Sequence, residues 1–278
     1  MMVKLRLGPE QHRICTKTGL ALRSGPVLAH RVARASYGPL NPPVRQPHSD
    51  PTVELRDHVG SWGRYDTVGR TIYAADEPTV AFMEMLAPYR TKVADERRAL
   101  QPLADHLGVA LDDLWSDIVA DWDEAGNMKA SWLPRQFREG RGLYALVFPE
   151  GWWIDIAAAE TISALHDLFG GRWPTARGEI EELLTLTHLT GDDRVLTTAI
   201  ASRLRESIEL DDGTLPLGIS FTSKHGHPTG GTGRCVAYWM RDVDNGLPEP
   251  TEVASSSGIS DHSQPFNEAL KLCKIRSR

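Results

Sequence analysis

Gly63-Arg-Tyr65, followed by Arg70-Thr-Ile-Tyr-Ala-Ala-Asp-Glu-Pro-Thr-Val-Ala-Phe-Met-Glu84, is the stretch on which the fold of this 278-residue chain turns. Arg70 to Ala75 combines β-branched, aromatic and small residues and reads as a short buried strand. Asp76-Glu-Pro-Thr79 then supplies an N-cap candidate with proline early in the first turn, so a helix over about Pro78 to Leu86 is expected. Helical geometry puts Glu84 on one face with Val80, Ala81 and Ala87. A helix glutamate is ordinarily solvated; among these neighbours Glu84 is expected to be half-buried.

Working outward, Pro26 to Ala35 alternates as a strand does and runs into a loop rich in proline, with Pro39, Pro42, Pro43, Pro47 and Pro51. Beyond the central stretch, residues from about 91 to 139 have helical periodicity and an acidic middle containing Asp112, Asp113, Asp117, Asp121, Asp123 and Glu124. Gly142 to Phe148 and Trp152 to Ile154 resume the strand signal. Helices are expected at Ala158 to Leu168, closed by Gly170-Gly171, at Gly178 to Leu186 and at Arg194 to Arg205. Leu217 to Thr222 and Cys235 to Met240 read as two strands joined by the Gly-rich loop Gly226 to Gly233. Residues 242–264 read as an extended arm, and Phe266 to Cys273 as a short amphipathic helix. Strands and helices mix without regular βαβ alternation, so the expected class is α+β.

Composition sets the outer bounds. With 41% hydrophobic and 24% charged residues and a mean hydropathy of -0.33, the chain is that of an ordinary globular protein. No apolar run reaches the roughly 18 residues a membrane helix requires, and Lys4, Arg6, Glu10 and Arg13 do not fit a secretory signal. A cytoplasmic location without membrane attachment is therefore expected. Cys15, Cys235 and Cys273 are scattered and lack metal-ligand spacing, so free thiols and no bound metal are expected. The net charge of -6 argues against a broad nucleic-acid surface, though basic residues gather near the N-terminus and in Lys271 to Arg278.

Gly63-Arg-Tyr65, Gly69, Ile72-Tyr73-Ala74-Ala75 and Ala81-Phe-Met-Glu84 together resemble the central motif of the RES family, named for an arginine, a glutamate and a serine. Leu217-Gly-Ile-Ser-Phe-Thr-Ser-Lys224 is similar to that family's Gly-Ile-x-aromatic-x-Ser strand and puts Ser223 at the serine position. His30-Arg31-Val32 resembles its first strand, where an additional arginine is usual. The resemblance spans about Val27 to Arg241. It divides the chain into a RES-like NAD-binding catalytic domain, 1–241, with an acidic helical insertion at about 91–139, and a C-terminal arm with a short helix, 242–278. Two departures stand out: the insertion itself, and Thr197-Thr198 where a Thr-Gln pair is common.

What the resemblance implies is an ADP-ribosyltransferase-like mixed β-sheet core with surrounding helices. It also implies an enzyme that cleaves the nicotinamide N-glycosidic bond of NAD, its substrate, and passes ADP-ribose to inorganic phosphate or water. Catalysis would fall to Glu84, Arg64 and Ser223. Glu84 would stabilise positive charge on the ribose or hold a ribose hydroxyl, and Arg31 and Arg64 would hold the diphosphate. Tyr73 would stack on nicotinamide, and Ser223 would bond the ribose or a phosphate. Family members often act as toxins neutralised by an antitoxin with a helix-turn-helix domain, which makes such a protein the expected partner. Protein ADP-ribosylation and an inactive interaction module are the alternatives.

Other signals carry less. Gly230-Gly-Thr-Gly233 lacks the setting and lysine of a P-loop, His225 and His227 read as loop residues, and Asp242-Val-Asp-Asn-Gly246 reads as a turn rather than a calcium loop. Leu103-Ala-Asp-His-Leu-Gly-Val109 with Leu111 to Val119 looks like a helix-turn-helix, the DNA-binding alternative. No Lys or Arg occurs between Gln101 and Met128, so direct nucleic-acid binding is not expected.

Overall fold

A computed structural model describes residues 10–25, 27–47, 58–90, 97–124 and 132–277. Lys4, Arg6, Pro26, Pro51, Arg278 and parts of the acidic insertion lie outside the described residues. The strands are β1 (His12–Ile14), β2 (Ala21–Gly25), β3 (Leu28–Arg34), β4 (Thr71–Ala75), β5 (Trp132–Leu133), β6 (Arg141–Val147) and β7 (Gly151–Asp155), then β8 (Arg172–Thr175), β9 (Gly178–Glu181), β10 (Gly218–Thr222), β11 (Arg234–Trp239), β12 (Glu252–Gly258) and β13 (Arg276–Ser277). Nine of them form one mixed sheet in the order β1-β2-β7-β10-β11-β4-β3-β6-β12. Its neighbours are antiparallel except for β7 and β10. The protein is thus α+β, with helices set around a mixed sheet.

Alternation along the central strands decides what each face buries. Ile72 and Ala74 of β4, with Val236 and Tyr238 of β11, join Leu146, Phe148 and Trp153 on one face. Ala75, Cys235, Ala237 and Trp239 point the other way, into the larger core that the helices cover. Tyr73 packs against that second face. The helix Pro78–Leu86 leaves β4 after two residues, with proline in its first turn as expected. It lies under the C-terminal helix Gln264–Cys273, where Phe82 and Phe266 meet edge to face at 5.3 Å between centroids. Its cap differs from the expectation, because Glu77 makes no side-chain cap bond. Glu77 instead accepts from the Thr232 N–H at 3.0 Å, and Asp76 accepts from the Thr232 hydroxyl. Both acids tie the helix start to the Gly-rich loop between β10 and β11.

The helix expected over Gly178 to Leu186 is not formed. Residues 172–181 make a hairpin instead, β8 against β9, with Gly178 at φ 123°. Trp173, fully buried, anchors it, and the next helix starts only at Leu186 behind a Thr185 cap. Periodicity failed there because a glycine in a left-handed turn and one anchoring tryptophan outweigh helix formers in a short segment. From Arg241 the chain forms the four-residue helix Arg241–Asp244 and then β12, which pairs along β6 at the sheet edge. In the insertion, helices Gln101–Leu107 and Leu111–Glu124 are joined through Gly108 at φ 67°, and Asp112 and Asp113 sit in the second helix's first turn. Among the described residues no helix is long and apolar enough to cross a membrane.

Candidate functional site

β3 and β4 are neighbours in the sheet, yet they pair at one position only, His30 with Ala75, whereas β3 pairs with β6 along its whole length. Beyond that pair the ladder opens. Arg31 reaches across the opening and donates from Nη1 to the Tyr73 carbonyl at 3.1 Å, in place of a strand-to-strand bond. A cavity of about 560 Å³ lies over this opening, walled by β3, β4, the Glu84 helix and the loop after β10. That volume suits a small-molecule ligand.

Glu84 stands at the wall of this cavity, half-buried as expected. The five residues Val80 to Met83 and Leu86 of its helix are buried, which fixes the helix and leaves Glu84 and Met85 facing the cavity. Its Oε1 accepts from the Ser223 hydroxyl at 2.5 Å, across 139 residues of sequence. Ser223 is only 6% exposed and lies behind Glu84 rather than in the cavity wall. Its N–H donates to the Gly233 carbonyl at 2.8 Å, and its Oγ accepts from the His225 N–H at 3.1 Å. Donating to Glu84 and accepting from the His225 N–H, the hydroxyl has one orientation.

The Gly63-Arg-Tyr65 turn is built against Tyr73. The Tyr65 N–H donates to the Tyr73 hydroxyl at 2.8 Å, and the Gly63 N–H to Asp66 Oδ2 at 2.8 Å. A Cβ on Gly63 would come within 2.6 Å of the Tyr73 hydroxyl, so glycine is required by close approach. Burial pushes the Tyr73 phenol well above its ordinary range, with Asp66 adding to it, so Tyr73 is a neutral anchor. Its ring lines the cavity. Arg64, 7% exposed, also lines it, donating from Nε to the Gly191 carbonyl at 3.3 Å, with its guanidinium 5.9 Å from the ring centres of Tyr65 and Phe221. Burial brings the Arg31 guanidinium down to about 10, which leaves it charged at neutral pH.

The structure therefore brings Arg31, Arg64, Tyr73 and Glu84 to one cavity, with Ser223 bonded to Glu84 from behind. Thr197 and Thr198 do not join them; their hydroxyls donate back to the Asp193 and Arg194 carbonyls at 3.0 and 2.5 Å. Sequence reasoning missed Arg194, Lys224 and His225, all of which line the cavity. His225 does lie in the loop after β10, and the signal available for it in the sequence is its place two residues after Ser223. Burial holds its imidazole below the ordinary value, against the pull of Glu84. His227 is exposed, and the Gly-rich loop is a hairpin connection. Cys15, Cys235 and Cys273 are free and buried.

Among the described residues, the charged groups of the wall are four cations, Arg31, Arg64, Arg194 and Lys224, and one carboxylate, Glu84. Such a cavity attracts an anion and presents one negative group to it. No family model matches the sequence, and no curated protein matches it. The crystal structure of the M. tuberculosis MbcT-MbcA toxin-antitoxin complex aligns over 90% of this chain and 90% of the other, at 10% identity and a TM-score of 0.36. That likeness is loose, and the functional reading rests on the cavity itself.

Proposed function

We propose that this chain is an NAD-consuming enzyme with an ADP-ribosyltransferase-like core, cleaving the nicotinamide N-glycosidic bond and passing ADP-ribose to phosphate or water. The observation that carries this reading is the Ser223-fixed carboxylate of Glu84 in a cavity whose other charged groups, among the described residues, are cations. Nicotinamide leaves with the electron pair of the glycosidic bond, and positive charge builds on the ribose ring. A carboxylate already held in place stabilises that charge without reorganising at the moment of reaction. The cations hold the diphosphate through charge-assisted hydrogen bonds, and Tyr73 offers a ring at the cavity wall. The oxygen of phosphate or water then closes the bond to ribose, and an attacking water releases one proton to solvent. A role as the toxin of a toxin–antitoxin pair, with a helix-turn-helix antitoxin as partner, completes the proposal.

The test is incubation of the purified protein with NAD, with and without phosphate, and identification of the products by mass. ADP-ribose 1″-phosphate indicates phosphorolysis and ADP-ribose indicates hydrolysis. NAD left intact under both conditions overturns the reading.

A further inference from the structure

Arg64, Arg194 and Lys224 gather around one exposed carboxylate, Asp192. The Lys224 ammonium donates to Asp192 Oδ1, and Arg194 donates to the same oxygen from Nη2 at 3.4 Å. Arg64 is bonded to the adjacent Gly191 carbonyl. The Asp192 side chain is 73% exposed, against 23% for Arg194 and 30% for Lys224. Arg194 Nη1 is buried and has no hydrogen-bond partner among the described residues. Arg31 donates from Nη1 to the Tyr73 carbonyl, and its Nε is likewise buried without a partner among the described residues.

We propose that Arg64, Arg194 and Lys224 form the diphosphate subsite of this cavity, and that Asp192 is an internal counter-anion which the ligand's phosphates displace. The proposal rests on the NAD reading for the identity of the ligand, but the subsite itself rests on the cation cluster. An ion pair with a solvent-facing carboxylate is weak, because water competes for both partners. A diphosphate brings more charge and more acceptor oxygens, and it can also satisfy Arg194 Nη1, which Asp192 leaves unbonded. Lys224 draws the Asp192 carboxyl below its ordinary value, with Arg194 and Arg64 adding to this, so the carboxylate is charged at neutral pH and competes directly with a phosphate. Arg31 Nη1 spans the opening between β3 and β4, apart from the three cations that gather around Asp192.

The test is equilibrium binding of inorganic pyrophosphate to the full chain and its variants by calorimetry. Asp192→Asn, which removes the competitor, is expected to tighten binding roughly two- to fivefold. Lys224→Ala and Arg194→Ala are each expected to weaken it roughly ten- to a hundredfold. Arg194→Lys, which keeps the charge and loses the fork, is expected to fall between wild type and Arg194→Ala, and guards against a folding defect in the latter. Asp261→Asn, outside the cavity wall, controls for net charge and is expected to leave binding unchanged. Pyrophosphate that fails to bind the wild type, or that binds Asp192→Asn no better, overturns the subsite. If the expected pattern appears while NAD is never cleaved, the subsite stands and the NAD reading falls.

Discussion

The Ser223 hydroxyl donates its one hydrogen bond to the Glu84 carboxylate, so removing it leaves the carboxylate free to rotate while hardly changing the cavity wall. Ser223 is a positioning residue on this geometry. Ser223→Ala is expected to lower kcat for NAD cleavage by about 10²-fold with KM little changed, and Ser223→Thr, which keeps the hydroxyl, to recover most of the loss. Equal effects of Ala and Thr would remove that role. His225 adds a pH dependence. Burial first, then Lys224, Arg90 and Arg64, hold its imidazole below the ordinary value of 6.5, and Glu84 opposes them. Burial lowers His30 in the same way. The unfolded chain therefore binds protons at higher pH than the folded one, so stability is full above 6.5 and falls as pH drops from there towards the folded values. Urea midpoints measured across that window should show the fall, and His225→Gln should flatten it; a variant curve parallel to wild type would contradict the assignment.

The elements that position the site are those whose signals were local. The strand Thr71–Ala75 and the helix Pro78–Leu86 were legible because β-branched residues, a proline at the helix start and an apolar face all agree over a few residues. The hairpin at 172–181 was not, since its cause is the burial of Trp173, a contact with residues distant in sequence. The opening between β3 and β4 was also invisible, because strand pairing is non-local. The Glu84 helix is held from outside by the C-terminal helix, through Phe266 against Phe82 and the Thr79 hydroxyl donating to Glu268 at 2.9 Å. Phe266→Ala is expected to cost about 3–5 kcal/mol in urea unfolding and to lower activity by loosening the helix. A loss under about 1 kcal/mol would mean that this packing does not hold the helix in place.

At the scale of the whole molecule, a chain of net charge -6 carries a cavity whose described wall has four cations and one carboxylate. The contrast was only half legible: composition argues against a broad nucleic-acid surface, but Arg194 and Lys224 come together with Arg64 only in the folded chain. Affinity for ADP-ribose should weaken several-fold as NaCl is raised from low to about 0.5 M, because screening shortens the reach of the cation cluster. An affinity independent of salt would contradict an electrostatic subsite. The central claim, that Glu84 is the group on which NAD cleavage depends, is tested most directly by nicotinamide release from NAD by wild type and Glu84→Gln, with the variant shown to be folded by circular dichroism. Release by wild type and loss of at least about 10²-fold in the variant is the predicted result; equal release by both, or none by wild type, would contradict it.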